Sequence, residues 1–361
     1  MSASPTGSAQ TRRITALADD MTGALEVGAK FSAAGIPALV SAKPLSTCPA
    51  GVVVFDTETR HVTPEKAASE VRRFLLESGP ATLIYKKTDS TLRGNISAEL
   101  QALAQLYPGW GIAYAPAYPA MGRTVKLGVL YVDGIAVAET DFANDALNPI
   151  RSSSIASILH PELKCVVFDG ETDAHLAEAA RAILCDESLR IAAGPAALAE
   201  TIAREIDLPR SAVPALPPIR KCLVLNGSRH EISATQVHYA MRHVEGTGWR
   251  MLQKSCPPGA DALSIAAANG KHLMERIAAE DPDAVFVIGG DTAFALVKAL
   301  GLPPLLPIAE AVPGVPVTRI EARHVARTVS RNRDLFLITK AGGFGGPDVI
   351  SRVRAILSHA G

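Results

Sequence analysis

The stretch Arg13-Ile14-Thr15-Ala16-Leu17-Ala18-Asp19-Asp20-Met21-Thr22-Gly23-Ala24 decides the fold class of this chain. Residues 13–18 are short and largely apolar, as a buried strand is. Residues 22–34 carry a helical pattern, so two adjacent acids fall at a strand-to-helix turn. The alternation repeats outward. Residues 52–55 read as a strand before a helix over 64–77, and 82–85 as a strand before a helix over 96–106. Residues 112–115 read as a strand, and later come a strand over 165–168, a helix over 175–184 and a strand near 190–193. Such alternation predicts βαβ units on a largely parallel sheet. Between these elements, residues 116–155 are irregular, with a hairpin expected from 127–133 and 135–140 across Asp133-Gly134.

Residues 207–219 contain Pro209, Pro214, Pro217 and Pro218 and read as a linker. Beyond it the alternation restarts, with strands over 222–225, 284–288 and 335–339 and helices over 233–244, 292–300 and 347–357. The expectation is α/β: two doubly wound, largely parallel-sheet domains, 12–206 and 220–361, joined by the Pro-rich linker. A chain of 361 residues, 48% hydrophobic, is long for one core and comfortable for two.

The 36 basic and 36 acidic residues cancel, which argues against a nucleic-acid partner while leaving room for a local basic pocket. No apolar run approaches the ~20 residues that span a bilayer. Residues 1–10 are small and polar, expected to be disordered, and lack the apolar core of a secretion signal. Cys48, Cys165, Cys185, Cys222 and Cys256 are odd in number and widely spaced, which fits reduced thiols in a cytoplasmic protein rather than a disulfide framework or zinc knuckle. A homo-oligomer is left open.

Three strands of the second half end in small-residue turns: Asn226-Gly227-Ser228-Arg229-His230, Gly289-Gly290-Asp291-Thr292 and Lys340-Ala341-Gly342-Gly343-Phe344-Gly345-Gly346. Strand ends of a parallel sheet lie side by side, glycine admits close backbone approach, and helix N-termini supply N–H donors. The set points to an anionic or nucleotide ligand, with Lys340 as an added point charge. Asp291 alone could be a helix cap. A Walker sequence and a strand-linked G-x-G-x-x-G are both missing, which disfavours a Walker ATPase and a dinucleotide enzyme.

In the first half, one acid of Asp19-Asp20 can cap the helix, most simply Asp20 if not Thr22. The other is left to act as a general base toward a hydroxyl or to hold a metal. Lys86-Lys87-Thr88-Asp89-Ser90-Thr91-Leu92-Arg93-Gly94-Asn95 packs cations, an acid and hydroxyls at the next strand end, suited to a polar anion. Arg93 and Arg60 suit a carboxylate. His61, His230, Arg123, Lys126 and Asp145 lie nearby, each as readily solvated as functional.

Ala18-Asp19-Asp20-Met21-Thr22-Gly23-Ala24 resembles the A-D-D-[LF]-T-G-A signature of the four-carbon acid sugar kinase family. Residues 86–95 are similar to its K-K-x-D-S-T-L-R-G-N, and the three glycine turns resemble its nucleotide-side motifs in the same order. The resemblance runs from Ile14 nearly to the C-terminus. It implies an N-terminal domain for the sugar acid, a C-terminal domain for ATP with Mg²⁺, and transfer to the 4-hydroxyl of threonate, erythronate or 3-oxo-tetronate. By position it places Asp19, Asp20, Arg60, Lys87, Asp89, Arg93 and Asn95 on the acid side. Ser228, Gly289, Gly290, Asp291, Thr292, Gly342, Gly343 and Gly345 fall on the nucleotide side, with Lys340 reaching the phosphates. Asp20, or else Asp19 or Asp89, is the expected base. No metal ligand is assigned. Asp291 departs from the family's G-G-E-T, and the chain is shortened between Val237 and Asp283. The rival readings are a non-catalytic sensor and another nucleotide-dependent enzyme such as a dehydrogenase.

Overall fold

A computed structural model describes residues 13–45, 51–145, 147–244, 246, 248–253 and 259–359; Cys48, Cys256 and residues 1–10 lie outside the described residues. The first half contains strands β1 (Ile14–Ala18), β2 (Ala38–Ser41), β3 (Val52–Asp56), β4 (Leu83–Lys87), β5 (Ile112–Tyr114), β6 (Arg123–Lys126), β7 (Val129–Val132), β8 (Ile135–Ala136), β9 (Cys165–Val167) and β10 (Ile191–Gly194). Its helices are α1 (Met21–Ala33), α2 (Pro64–Leu76), α3 (Ile96–Leu106), α4 (Ile155–Ile158), α5 (Asp173–Cys185) and α6 (Ala196–Glu205). Seven strands form one sheet in the order β2-β3-β1-β4-β10-β5-β9, every pairing parallel. The buried runs of β1 and β3 are apolar on both faces because helices cover both.

The second half has β11 (Cys222–Asn226), β12 (Trp249–Leu252), β13 (Ala284–Ile288), β14 (Leu306–Val312), β15 (Val315–Ile320) and β16 (Leu335–Lys340). Its helices are α7 (Glu231–His243), α8 (Ala262–Glu280), α9 (Gly290–Ala299), α10 (Ala322–Val325) and α11 (Val349–Ser358). Its sheet runs β12-β11-β13-β16-β15-β14, parallel except that β14 and β15 join antiparallel. The expected largely parallel character therefore holds for both sheets.

Register brings the chemistry together. Ala18 pairs with Asp56 on one side and Lys87 on the other, so the turns after β1, β3 and β4 emerge at one level. Asn226 pairs with Ile288, and Ile288 with Lys340, which aligns the three glycine turns of the second sheet. Helix α1 lies between the sheets and is buried almost all round, packing on β2 and β3 of its own half and on β14 of the other. The two sheets also touch edge to edge, where Val40 and Leu305 exchange backbone hydrogen bonds of 2.9 Å each.

The irregular segment forms a third, antiparallel sheet of β6, β7 and β8. The expected hairpin at Asp133-Gly134 is present, both residues left-handed (φ 50° and 83°). A second one at Leu127-Gly128 (φ 50° and 71°) was not expected, since leucine is no turn signal. Asp169 accepts hydrogen bonds from both amides, Leu127 N at 2.5 Å and Gly128 N at 2.9 Å, and holds the strained turn. Residues 207–219 carry no helix or strand. Arg210 nevertheless ties this segment to the first half, its guanidinium donating to the carbonyls of Ala34, Ala203, Arg204 and Ile206 at the ends of α1 and α6. No helix among the described residues is long and apolar enough to cross a membrane.

Candidate functional site

Asp20 caps α1, its Oδ1 accepting from Gly23 N at 3.0 Å, which matches the capping role read from the turn. Arg60 organises the acids around it. Its Nε and Nη2 donate to the two oxygens of Asp19 (2.7 and 2.8 Å), and its Nη1 donates to Asp20 Oδ2 (2.7 Å). Asp89 Oδ2 lies 3.8 Å from Arg60 Nη2. Burial would raise the Asp19 carboxyl, but the Arg60 guanidinium, helped by Lys86 and Lys87, holds it below its ordinary range. Arg60 is thus committed to protein carboxylates.

Arg93 is engaged in the same way. It grips Asp89 with two nitrogens (3.1 and 2.9 Å), reaches Asp145 at 3.1 Å and lies over the Phe142 ring at 5.4 Å. Asp89 also accepts from Thr91 N and Oγ1. Against its burial, Arg93 and then Arg60 push Asp89 well below the usual carboxylate range. Beneath these, Lys86 and Glu99 form a fully buried pair at 3.0 Å, and Thr59 Oγ1 donates to Glu99 at 2.5 Å. Asn95 donates to the carbonyls of Thr59 and Val62 (2.8 and 2.9 Å), pinning the loop that carries Arg60. Lys87 differs from these cations. Its Nζ donates to Thr88 O at 2.9 Å, and among the described residues no carboxylate lies within 4.0 Å of it.

A cavity at the seam of the two halves is lined by Asp20, Glu26, Lys87, Ser90, Arg93 and Tyr118 from the first half and by Ala341 and Phe344 from the second. The seam is tight. A Cβ on Gly290, at the start of α9, would sit 3.1 Å from Asp20 Oδ2 and 3.2 Å from Thr22 Oγ1, so glycine there lets a helix N-terminus meet the acid turn. His61 Nε2 stands 3.6 Å from Asp291 Oδ1 across the seam, and His61 Nδ1 shares a 2.8 Å hydrogen bond with Asn148. From the irregular segment, Arg123 lies over Phe344 at 5.3 Å and Phe142 approaches His230 at 6.3 Å, whereas Lys126 stays exposed.

Two acids escaped notice in the sequence. Asp56, at the end of β3, is raised to about 8 by burial and by Asp20 and Asp19, and its Oδ2 has no partner among the described residues. Glu58, at φ 48°, accepts from Met21 N at 3.2 Å, and burial, Asp56 and Asp20 raise it well above its ordinary value. An acid closing an otherwise apolar strand, as Asp19 follows β1, is the signal that would have found Asp56.

On the nucleotide-side turns, Ser228 Oγ accepts from His230 N at 3.1 Å, and the Gly342 backbone packs directly against that hydroxyl. Thr292 is buried against Gly227, and Gly289 (φ 111°) donates to Lys340 O at 2.9 Å. Gly343 and Gly345 are exposed. Lys340 corrects an expectation. It is fully buried, and its Nζ donates to the carbonyls of Ala341 (2.6 Å), Gly342 (3.2 Å) and Phe344 (2.7 Å), so it is no point charge facing the crevice. Burial pushes it down to about 7.

A model of a sugar-binding N-terminal domain matches residues 14–164, and one of a nucleotide-binding C-terminal domain matches 259–350. A D-threonate kinase of Salmonella typhimurium is 37% identical over 162 residues, a match spanning 44% of this chain and 38% of that protein. A D-threonate kinase of Bordetella bronchiseptica is 28% identical over 400 residues, covering 93% of this chain and 95% of that one. A solved Salmonella typhimurium structure shares the fold with a TM-score of 0.72 at 19% identity, covering 95% of this chain and 98% of that one. Both domain models in order, together with full-length relatives, place the chain in the four-carbon acid sugar kinase family.

Proposed function

We propose that this protein is an ATP-dependent kinase that phosphorylates the terminal hydroxyl of a four-carbon sugar acid. The observation that carries the reading is the seam itself. The glycine-opened N-terminus of α9 abuts the Asp19-Asp20 turn, beside a cavity lined from both halves. Phosphoryl transfer asks mainly for positioning and charge neutralisation, and this geometry supplies both.

The acids divide by availability. Asp19 has both oxygens on Arg60 and is 3% exposed, and Asp89, also at the cavity wall, has Oδ1 on Thr91 and Arg93 and Oδ2 on Arg93. Asp20 has one hydrogen bond on each oxygen, from Gly23 N and Arg60, but it lines the cavity and is the most exposed of the three at 17% of its side chain, so it is the group that takes the hydroxyl proton as the oxygen attacks the terminal phosphorus and ADP leaves. Lys87, the cavity cation with no carboxylate within 4.0 Å among the described residues, binds the substrate carboxylate, with Arg60 and Arg93 shaping the site around it. The turns 227–230, 289–292 and 341–346 hold the nucleotide phosphates.

Mg²⁺ fits as an ion that arrives with the triphosphate. Among the described residues no three ligating side chains converge on one point, yet Asp291 and Glu58 offer hard oxygen donors on opposite sides of the seam, suited to an ion that keeps several waters. It would neutralise phosphate charge there.

ADP release from Mg-ATP across stereoisomeric threonates, erythronates and 3-oxo-tetronates tests the proposal. Selective turnover of one acid supports it and names the substrate. ATP binding without turnover of any acid moves the substrate class elsewhere, and no ATP binding overturns the nucleotide assignment.

A further inference from the structure

Five of the six carbonyls in residues 341–346 are collected by buried side chains. Lys340 Nζ takes those of Ala341, Gly342 and Phe344. Gln236 Nε2, on α7, takes those of Phe344 (2.8 Å), Gly345 (2.8 Å) and Gly346 (3.2 Å). Ser233 Oγ adds a second bond to Gly342 O at 2.6 Å. The Gln236 amide must face the loop with its nitrogen, since an amide oxygen cannot pair with three carbonyls. Its own Oε1 is left buried with no partner among the described residues, and such an orphan costs about 1–3 kcal/mol. Lys340 is likewise a buried ammonium whose hydrogen-bond partners are carbonyl oxygens, with no carboxylate within 4.0 Å of it among the described residues. Two costly placements converge on one loop.

In a trans peptide the carbonyl of one residue and the N–H of the next point in opposite directions. Carbonyls drawn inward at 341, 342, 344 and 345 therefore turn the N–H groups of Gly342, Gly343, Gly345 and Gly346 outward. None of these four donates to a described acceptor, and Gly343, Gly345 and Gly346 are exposed. Outward amides in succession make an anion-binding concavity.

We infer that Lys340 and Gln236 are positioning residues that gather the loop carbonyls so that its amides face the nucleotide phosphates, with the Lys340 ammonium as the cation at the centre of those carbonyls. The inference rests on the nucleotide reading of the second half. Neither side chain touches the ligand.

Calorimetric titration of Lys340→Ala and Gln236→Leu with Mg-ATP, and separately with the sugar acid, tests this. Both variants should bind the acid as wild type does. Both should weaken Mg-ATP by about tenfold or more, the loss of one or two charge-assisted N–H contacts. Ammonium chloride, at constant ionic strength, should restore affinity in Lys340→Ala and leave Gln236→Leu weak. Wild-type affinity in Gln236→Leu overturns the inference, because a lysine that bonded phosphate directly would need no Gln236. Should Lys340→Ala also lose the acid, the Gln236→Leu result decides alone. A wild-type protein that binds no Mg-ATP sinks instead the nucleotide reading beneath it.

Discussion

Replacing Arg60 by methionine keeps most of its bulk and removes the cation that holds Asp19, Asp20 and Asp89 together. Breaking a buried pair costs about 3–5 kcal/mol, because a charge is left without its partner. The bound on that cost follows from protonation. An uncompensated Asp19 takes up a proton, and holding a carboxyl of ordinary value near 3.9 neutral costs about 1.4 kcal/mol per pH unit above it. That amounts to about 4 kcal/mol near pH 7 and about 1.5 kcal/mol near pH 5. The sign differs from wild type. There Asp19 is depressed, so its contribution is present above the ordinary value and lost only as pH falls through the folded one. In Arg60→Met the folded value is raised, so the variant regains stability as pH falls from about 7 to about 5. Urea unfolding of both proteins at the two pH values measures this. A destabilisation that does not change with pH, or one below about 1 kcal/mol, would refute the view that Arg60 neutralises buried acids rather than serving the substrate alone.

Other outcomes follow from the same geometry. Asp20→Asn should lower kcat by about 10²–10⁴ with Mg-ATP affinity retained, and near-normal turnover removes Asp20 as base. Lys87→Met should raise KM for the acid about tenfold to a hundredfold and move kcat less, read by steady-state kinetics; an unchanged KM returns the carboxylate to Arg93. Glu310, on β14, meets Lys30 of α1 at 2.7 Å across the seam, and burial lifts it to about 7 against the pull of Lys30. A raised carboxyl binds a proton on folding, so wild-type stability declines as pH rises from its ordinary value to about 7. Glu310→Gln lacks that slope and should gain up to about 3 kcal/mol on wild type across the window, with Lys30 still paired to Glu200 at 2.7 Å. Parallel denaturation curves at each pH check it.

The alternation of apolar runs and helical stretches was enough to find β1, β3, β4, α3, β13 and β16 within a residue or two, because each is long, buried and bounded by strong turns. Their register then follows from parallel pairing, which is why the acid turn and the cationic turn meet. The strands β14 and β15 were hidden by Pro303, Pro304, Pro307, Pro313 and Pro316, which read as breakers. The register of that pair is irregular near Pro307 and again near Val312, as prolines at a sheet edge allow. Helix α8 was obscured by Asn269-Gly270, a turn signal in isolation. In the fold, Gly270 marks where α8 crosses α9 so closely that a Cβ would lie 2.8 Å from the Ala295 carbonyl carbon. The sequence also named Arg60, Arg93 and Lys340 as ligand-facing cations. Residue type cannot reveal that each is already spoken for: Arg60 meets acids far away in the chain, whereas Arg93 turns back on nearby Asp89 and Lys340 on the carbonyls that follow it, a choice set by the fold around them.

The Val40–Leu305 bridge joins the β2 margin of one sheet to the segment entering the β14 margin of the other. At that point each half covers unpaired edge backbone of the other that would otherwise invite a foreign strand. Three-residue β9 and four-residue β12 remain as outer borders, too short to template much growth. Parting the halves would free the bridged backbone groups on both margins at once. Colloidal stability therefore depends in part on the two halves staying together, since their separation would add exposed strand edges.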